Sequence, residues 1–195
     1  MSQSLVEDAA NLVSILQQEA VNTLAIDEDD AFMVGDGVGK PLGLLPGGLN
    51  TLGLAEVNSG DSSGIKANGI KALKRALPSQ YRQRGVWFAN SDTYGDIELL
   101  IDGNGNYMFP DLTDTDMLLG RRAYEAEGLP DVASNAYPLV FGDPSGYTIL
   151  ERSGMTIARF QDSNTGINKV EFHFRRRVGG RVTKPWMFRV MKIAA

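Results

Sequence analysis

Asp29-Asp30-Ala31-Phe32-Met33-Val34-Gly35-Asp36-Gly37-Val38-Gly39-Lys40-Pro41-Leu42-Gly43-Leu44-Leu45 is the stretch on which the fold turns. Its first residues end a helical pattern. Its glycines then allow backbone conformations that side chains resist, so the segment reads as a tight connection made by backbone. Gly35-x-Gly37-x-Gly39-Lys40 invites a phosphate-loop reading. Such a loop needs a longer gap before its Gly-Lys pair, and Ser or Thr after it. Here three residues separate Gly35 from Gly39, and Pro41 follows Lys40. The loop also leaves a helix, where a phosphate loop would leave a strand. Nucleotide binding is therefore not expected.

Upstream, the pattern predicts a long helix from about Leu5 to Met33, opened by a capping box of Ser4 and Glu7. Leu5, Val6, Ala9, Leu12, Val13, Leu16, Ala20, Leu24 and Ala31 share an apolar arc roughly 120° wide. Ile15, Val21 and Ile26 fall off that arc, as surface residues or as a second contact face. The helix would span roughly 40 Å. It ends in Asp27, Glu28, Asp29 and Asp30, where the helix dipole already disfavours negative charge. A nearby cation is expected to compensate.

Downstream, Ile65 to Leu77 reads as a helix stopped by Pro78, and Val86 to Ala89 as a short buried strand. Asn90, Ser91 or Asp92 caps a helix running to about Ile101. Asp102-Gly103-Asn104-Gly105-Asn106 is a turn by composition. It resembles the start of a calcium loop, but Tyr107 and Thr113 stand where that loop needs Gly and Glu. Short strands are expected at Tyr107 to Phe109, Arg121 to Ala126, Leu139 to Phe141, Tyr147 to Glu151 and Thr156 to Phe160. Lys169 to Val178 alternates, with Val170, Phe172, Phe174 and Arg176 on one side. Gly179-Gly180 is expected to turn it into a returning strand, Arg181 to Ile193. Pro185 places that return at a sheet edge, or makes it begin later.

Charge is unevenly spread. Residues 1–39 hold eight carboxylates and no Lys or Arg, while residues 159–195 hold nine Lys or Arg against two carboxylates. The two ends attract each other, within the chain or between neighbouring copies, unless both are simply solvated faces. Asp27, Glu28, Asp29, Asp30, Arg175, Arg177 and Arg181 are the candidate contact residues. Arg175-Arg176-Arg177 alternates between strand faces and makes no continuous stripe for nucleic acid. The chain lacks cysteine and has one histidine, His173. That removes thiolate and multi-histidine metal sites, and leaves a His-based triad without an evident nucleophile. His173, flanked on its own strand face by Glu171 and Arg175, reads as structural. No apolar stretch approaches a membrane span, and the N-terminus has no basic region leading into an apolar run.

Six segments, in order, resemble the major capsid proteins of tailed phages, of the Hong Kong 97 type. They are the acidic helix end with its Gly-rich loop; Leu100-Ile101-Asp102-Gly103-Asn104-Gly105-Asn106-Tyr107; Leu118-Leu119-Gly120-Arg121 with Gly128-Leu129-Pro130; Phe141-Gly142-Asp143; Tyr147 to Met155; and Arg176 to Val182 through Ile193. The resemblance runs from about Ser4 to Ile193. It implies an α+β fold in which a long spine helix and a β-sheet of long strands form a peripheral domain, residues 1–39 and 145–180. Residues 40–144 and 181–195 would form an axial domain, to which the last strand returns. It implies a structural subunit of an icosahedral viral capsid enclosing double-stranded DNA, not an enzyme, with no cofactor. Its partners would be copies of itself, in pentamers and hexamers, and packaged DNA non-specifically; no membrane is implied. Its place would be the virion, after synthesis in the bacterial host cytoplasm. The alternative is an encapsulin-like bacterial compartment shell. The resembled family carries an N-terminal arm and an extended loop before its spine helix, and this chain begins one turn before that helix. The chain alone is therefore expected to be a folded monomer or small oligomer that does not close into shells.

Overall fold

A computed structural model describes residues 12–160 and 171–194. The expected capping box at Ser4 and Glu7, the start of the helix at Leu5, and Lys169 and Val170 lie outside these residues. The architecture is α+β, and the chain divides into two compact units. One comprises Met1–Glu28 and Ile149–Gly179, the other Asp29–Thr148 and Gly180–Ala195.

In the smaller unit lies most of helix α1 (Leu12–Val34) and of a two-stranded sheet of β6 (Tyr147–Phe160) and β7 (Glu171–Val182). Along α1, Leu16, Ala20 and Leu24 are half-buried, as the apolar arc requires, while Ile15 and Ile26 are 63% and 65% exposed. Glu28 lies at the margin of the half-buried side, one turn beyond Leu24.

The larger unit is a six-stranded mixed sheet. Its strands are β1 (Ala55–Asn58), β2 (Val86–Ala89), β3 (Met117–Leu118), β4 (Arg121–Glu125), β5 (Leu139–Gly142) and β8 (Phe188–Lys192), in the order β1-β8-β5-β2-β4-β3. β1 with β8 and β2 with β4 are parallel; the other pairs are antiparallel. Side chains alternate along the strands, and both faces of the inner strands β8, β5 and β2 pack against other elements, while β1 and β4 are largely exposed. Trp87, Leu139, Phe141 and Met191 face one core, with Ile70 and Leu73 of α2 (Ala67–Ala76), Ile97 of α4 (Ser91–Glu98) and Leu112 of α5 (Pro110–Thr115). Phe88, Val140, Phe188 and Val190 face the other, with Leu44, Leu45, Leu129 and Tyr137. The single-turn α3 (Ser79–Arg82) links α2 to β2. Trp87 donates its indole N–H to Leu118 O at 2.8 Å and packs on Phe141 with the rings tilted by 37° and their centroids 4.3 Å apart.

The Gly-rich stretch finishes α1. A helix leaves its last carbonyls without partners. Here Leu44 N donates to Phe32 O at 2.9 Å and Leu45 N to Met33 O at 2.7 Å, while Gly43 N bonds Gly35 O at 2.9 Å. The chain crosses back over the helix end so closely that a Cβ on Gly43 would sit 2.6 Å from Met33 O. Within the loop, Asp36 accepts from Val38 N at 3.0 Å, and Lys40 lies 3.9 Å from the same carboxylate. The loop is closed on itself.

Several strand expectations need correction. Gly179-Gly180 makes no hairpin turn: β7 runs through both to Val182, and neither glycine has positive φ. Close approach explains Gly180, because a Cβ there would overlap the Tyr147 hydroxyl and ring. The last strand does not pair back on β7. Pro185 opens a 3-10 turn, and β8 begins after it, between β1 and β5. Tyr107 to Phe109 is not a strand; Tyr107 makes a single bridge to Ile101, and Phe109 precedes α5, which Pro110 opens. The two strands expected over Tyr147 to Phe160 are one. β1 was not expected at all: with Val57 its one large apolar residue, it shows no alternation.

Candidate functional site

The acidic end of α1 is the first candidate. Glu28 Oε2 pairs with Arg176 Nη1 at 2.9 Å, and Arg176 Nε with Glu151 Oε1 at 3.1 Å. The Glu28 and Arg176 side chains are 16% and 33% exposed, so the pair is partly shielded from water. Strand alternation sets the choice of arginine. Arg176 shares its side of β7 with half-buried Phe174, whereas Arg175 and Arg177 point the other way. Asp27, Asp29, Asp30, Arg175, Arg177 and Arg181 are exposed, and none makes an ion pair among the described residues. Asp30 lies against Gly128. His173 is half-buried in β7.

The calcium-like loop spends its carboxylate on itself. Asp102 Oδ1 accepts from Asn104 N at 2.8 Å and from Asn106 N at 3.0 Å. These bonds, that from Asn106 first, hold its carboxyl below the usual carboxylate range. Among the described residues no cluster of three or more His, Asp or Glu could hold a metal ion. None of the described helices is long and apolar enough to cross a membrane.

A second candidate was missed in the sequence. Lys71, Lys74 and Arg75 of α2, Arg82 of α3, and Leu119 line an open cavity of about 460 Å³. Burial lowers the Lys74 pKa, with Arg121 and Arg82 adding to the effect. The available signal was the spacing of Lys71, Lys74 and Arg75, which puts all three on one helix side. Two ties join distant segments. Glu56 of β1 accepts from Asn50 Nδ2 at 2.9 Å and from the Tyr137 hydroxyl at 2.8 Å, and lies 3.9 Å from Lys192 of β8. The Tyr147 hydroxyl donates to Leu42 O at 2.8 Å, and burial pushes its pKa up to about 12.

These are structural contacts: ion pairs, carbonyl clamps and loop closures. The family model for the phage capsid family matches residues 1–193. The chain belongs to the phage capsid family. The capsid of an empty GTA particle superposes with a TM-score of 0.88 at 32% identity, over all of this chain and 70% of that one. The capsid of a native GTA particle gives 0.87 at 30% identity, again over all of this chain and 70% of that one. Gordonia phage Cozz gives 0.66 at 15% identity, over 100% of this chain and 68% of that one, a likeness of fold. No curated protein sequence matches. This capsid protein is a structural, non-enzymatic subunit that assembles with its own kind into a shell.

Proposed function

We propose that this capsid protein builds an icosahedral shell of the Hong Kong 97 type around double-stranded DNA, from pentamers and hexamers of itself. The observation that carries the reading is the match over the whole of this chain, at 32% identity, to the capsid of a GTA particle. Residues 1–39 and 145–180 serve as the peripheral domain, and residues 40–144 and 181–195 as the axial domain. The chain's separation into two compact units supports a division of this kind, although residues 29–39 and 145–148 fall in the larger unit. Asp27, Asp29, Asp30, Arg175, Arg177 and Arg181, exposed and without ion pairs among the described residues, are available for charge contacts between subunits. Glu28 is already engaged by Arg176. Packaged DNA contacts the shell without sequence preference, and the protein is made in the host cytoplasm before it enters the virion.

The test is nuclease protection. Particles are purified from cells that carry the gene in its native context, treated with nuclease and extracted. Double-stranded DNA of defined length, resistant until the shell is opened, is the expected result. Particles built from this chain that protect no nucleic acid, or that protect protein cargo alone, would contradict the reading.

A further inference from the structure

Within the larger unit, the parallel pair β2 and β4 carries opposite charge at its two ends. β2 and β4 run parallel, with Trp87 opposite Ala123 and Ala89 opposite Glu125. Their N-terminal ends therefore lie together, and so do their C-terminal ends, about 13 Å away at 3.3 Å per residue.

The N-terminal ends carry the basic cavity. Arg82 donates to the carbonyls of Arg75 and Leu77 at 2.8 Å, Lys74 to Leu119 O, and Arg121, which opens β4, to Gln83 O. These bonds fix three cations in place but neutralise none. No acidic side chain lines the cavity, and neither its cations nor Arg121 form an ion pair among the described residues. Nearby Arg84 is accounted for separately, by Asp143 at 3.0 Å.

The C-terminal ends carry carboxylates. Glu125 closes β4. Asn90, just past β2, donates to Asp131 at 2.6 Å, and Glu127 accepts from Ser91 N at 3.2 Å. Asp92 stands in the first turn of α4. All four acidic residues are exposed, and none has an ion pair among the described residues.

A positive hollow at one end and carboxylates at the other make these ends complementary head to tail, an arrangement that closes into a ring when the rotation between copies closes. We infer that the cavity of Lys71, Lys74, Arg75 and Arg82 receives the acidic end of a second copy, formed by Asp92, Glu125, Glu127 and Asp131. The inference rests on the shell-subunit reading and names the surfaces it uses. Complementary charge sets orientation and encounter rate more than affinity, and salt screens it over about 10 Å. A phosphate-bearing ligand would offer the cavity the same charge. The chain's own acidic end is favoured because it lies at the opposite end of the same parallel strands.

The test uses two charge reversals, Lys71→Glu with Arg75→Glu, and Asp92→Lys with Glu125→Lys. These four side chains clamp no backbone group among the described residues. Circular dichroism and melting confirm that each variant folds. Sedimentation velocity then compares the wild type, each variant alone and the two mixed, at low and high salt. The wild type is expected to self-associate at low salt and to dissociate at high salt. Each variant alone should associate at least about tenfold more weakly. Their mixture should recover association, because the intact acidic end of one variant meets the intact basic cavity of the other. Variants that associate like the wild type, or a mixture that stays dissociated, would overturn the contact. So would pyrophosphate or duplex DNA binding lost in the Lys71→Glu/Arg75→Glu variant while self-association is unchanged. If the reversed chains still form shells in the native context, only this contact fails. Shells without the chain would remove the reading beneath it.

Discussion

Gly43 shows how little room the helix end leaves. Its φ is not positive, so the backbone would accept alanine; the obstacle is contact with Met33 O and Gly35 N, each 2.6 Å from where a Cβ would stand. Gly43→Ala forces backbone apart and should cost about 1–3 kcal/mol. A urea melt of variant and wild type measures it, and equal midpoints would show that the crossing yields easily. The glycine run was legible as a tight turn, because glycine frequency alone signals backbone geometry. Its use as a cap for α1 was not, since that depends on Leu44 and Leu45 meeting Phe32 and Met33 carbonyls. Arg176 lay within reach of sequence reasoning. Its parity with Phe174 put it on the apolar side of β7, and only a partner placed there could hold it.

At the scale of elements, α4 depends on one cap. Asn90 is 3% exposed; its carbonyl oxygen accepts from Thr93 N at 2.8 Å while its amide donates to Asp131. Asn90→Ala should cost about 1–2 kcal/mol, and Asn90→Ser less, because a hydroxyl acceptor survives for Thr93 N without a second carboxylate beside Asp131. Thermal melting of both variants checks the order; equal losses would mean that the amide, not the acceptor, matters. The β1–β8 pair carries a pH dependence through Glu56. Hydrogen bonds from Asn50 and then Tyr137, together with the Lys192 charge, hold its carboxyl below the usual Glu value against the opposing effect of burial. The folded state thus favours the carboxylate, and its stabilisation is present above the unfolded-state pKa. It is lost as pH falls through the folded value. Glu56→Gln should flatten the fall in stability across that acid range, read from denaturant melts at successive pH values; an unchanged slope would show that other carboxylates set it. Local signals marked α2, α4, β2 and β5 because their caps and apolar runs lie in short windows. β8 was misplaced because its partners, β1 and β5, are distant in sequence and nothing local names them.

For the whole molecule, the family was legible where the arrangement of sheets was not. An ordered series of loop and turn motifs survives as sequence because each is a backbone requirement, whereas strand order is set by side chains meeting across the fold. The hairpin expected at Gly179-Gly180 failed for that reason: two glycines look the same whether they turn a chain or let Tyr147 approach it. The basic cavity was hidden likewise, because Arg82 joins Lys71, Lys74 and Arg75 only once α3 folds back beside the end of α2. If the protein is the repeating subunit of a capsid shell, cryo-electron microscopy of particles from cells carrying the gene in its native context will show it throughout the lattice. The expected map is an icosahedral shell in which every lattice position holds density for β1 to β8 with α1. Particles whose lattice is built by another chain, with this one absent or present at scattered positions, would contradict it.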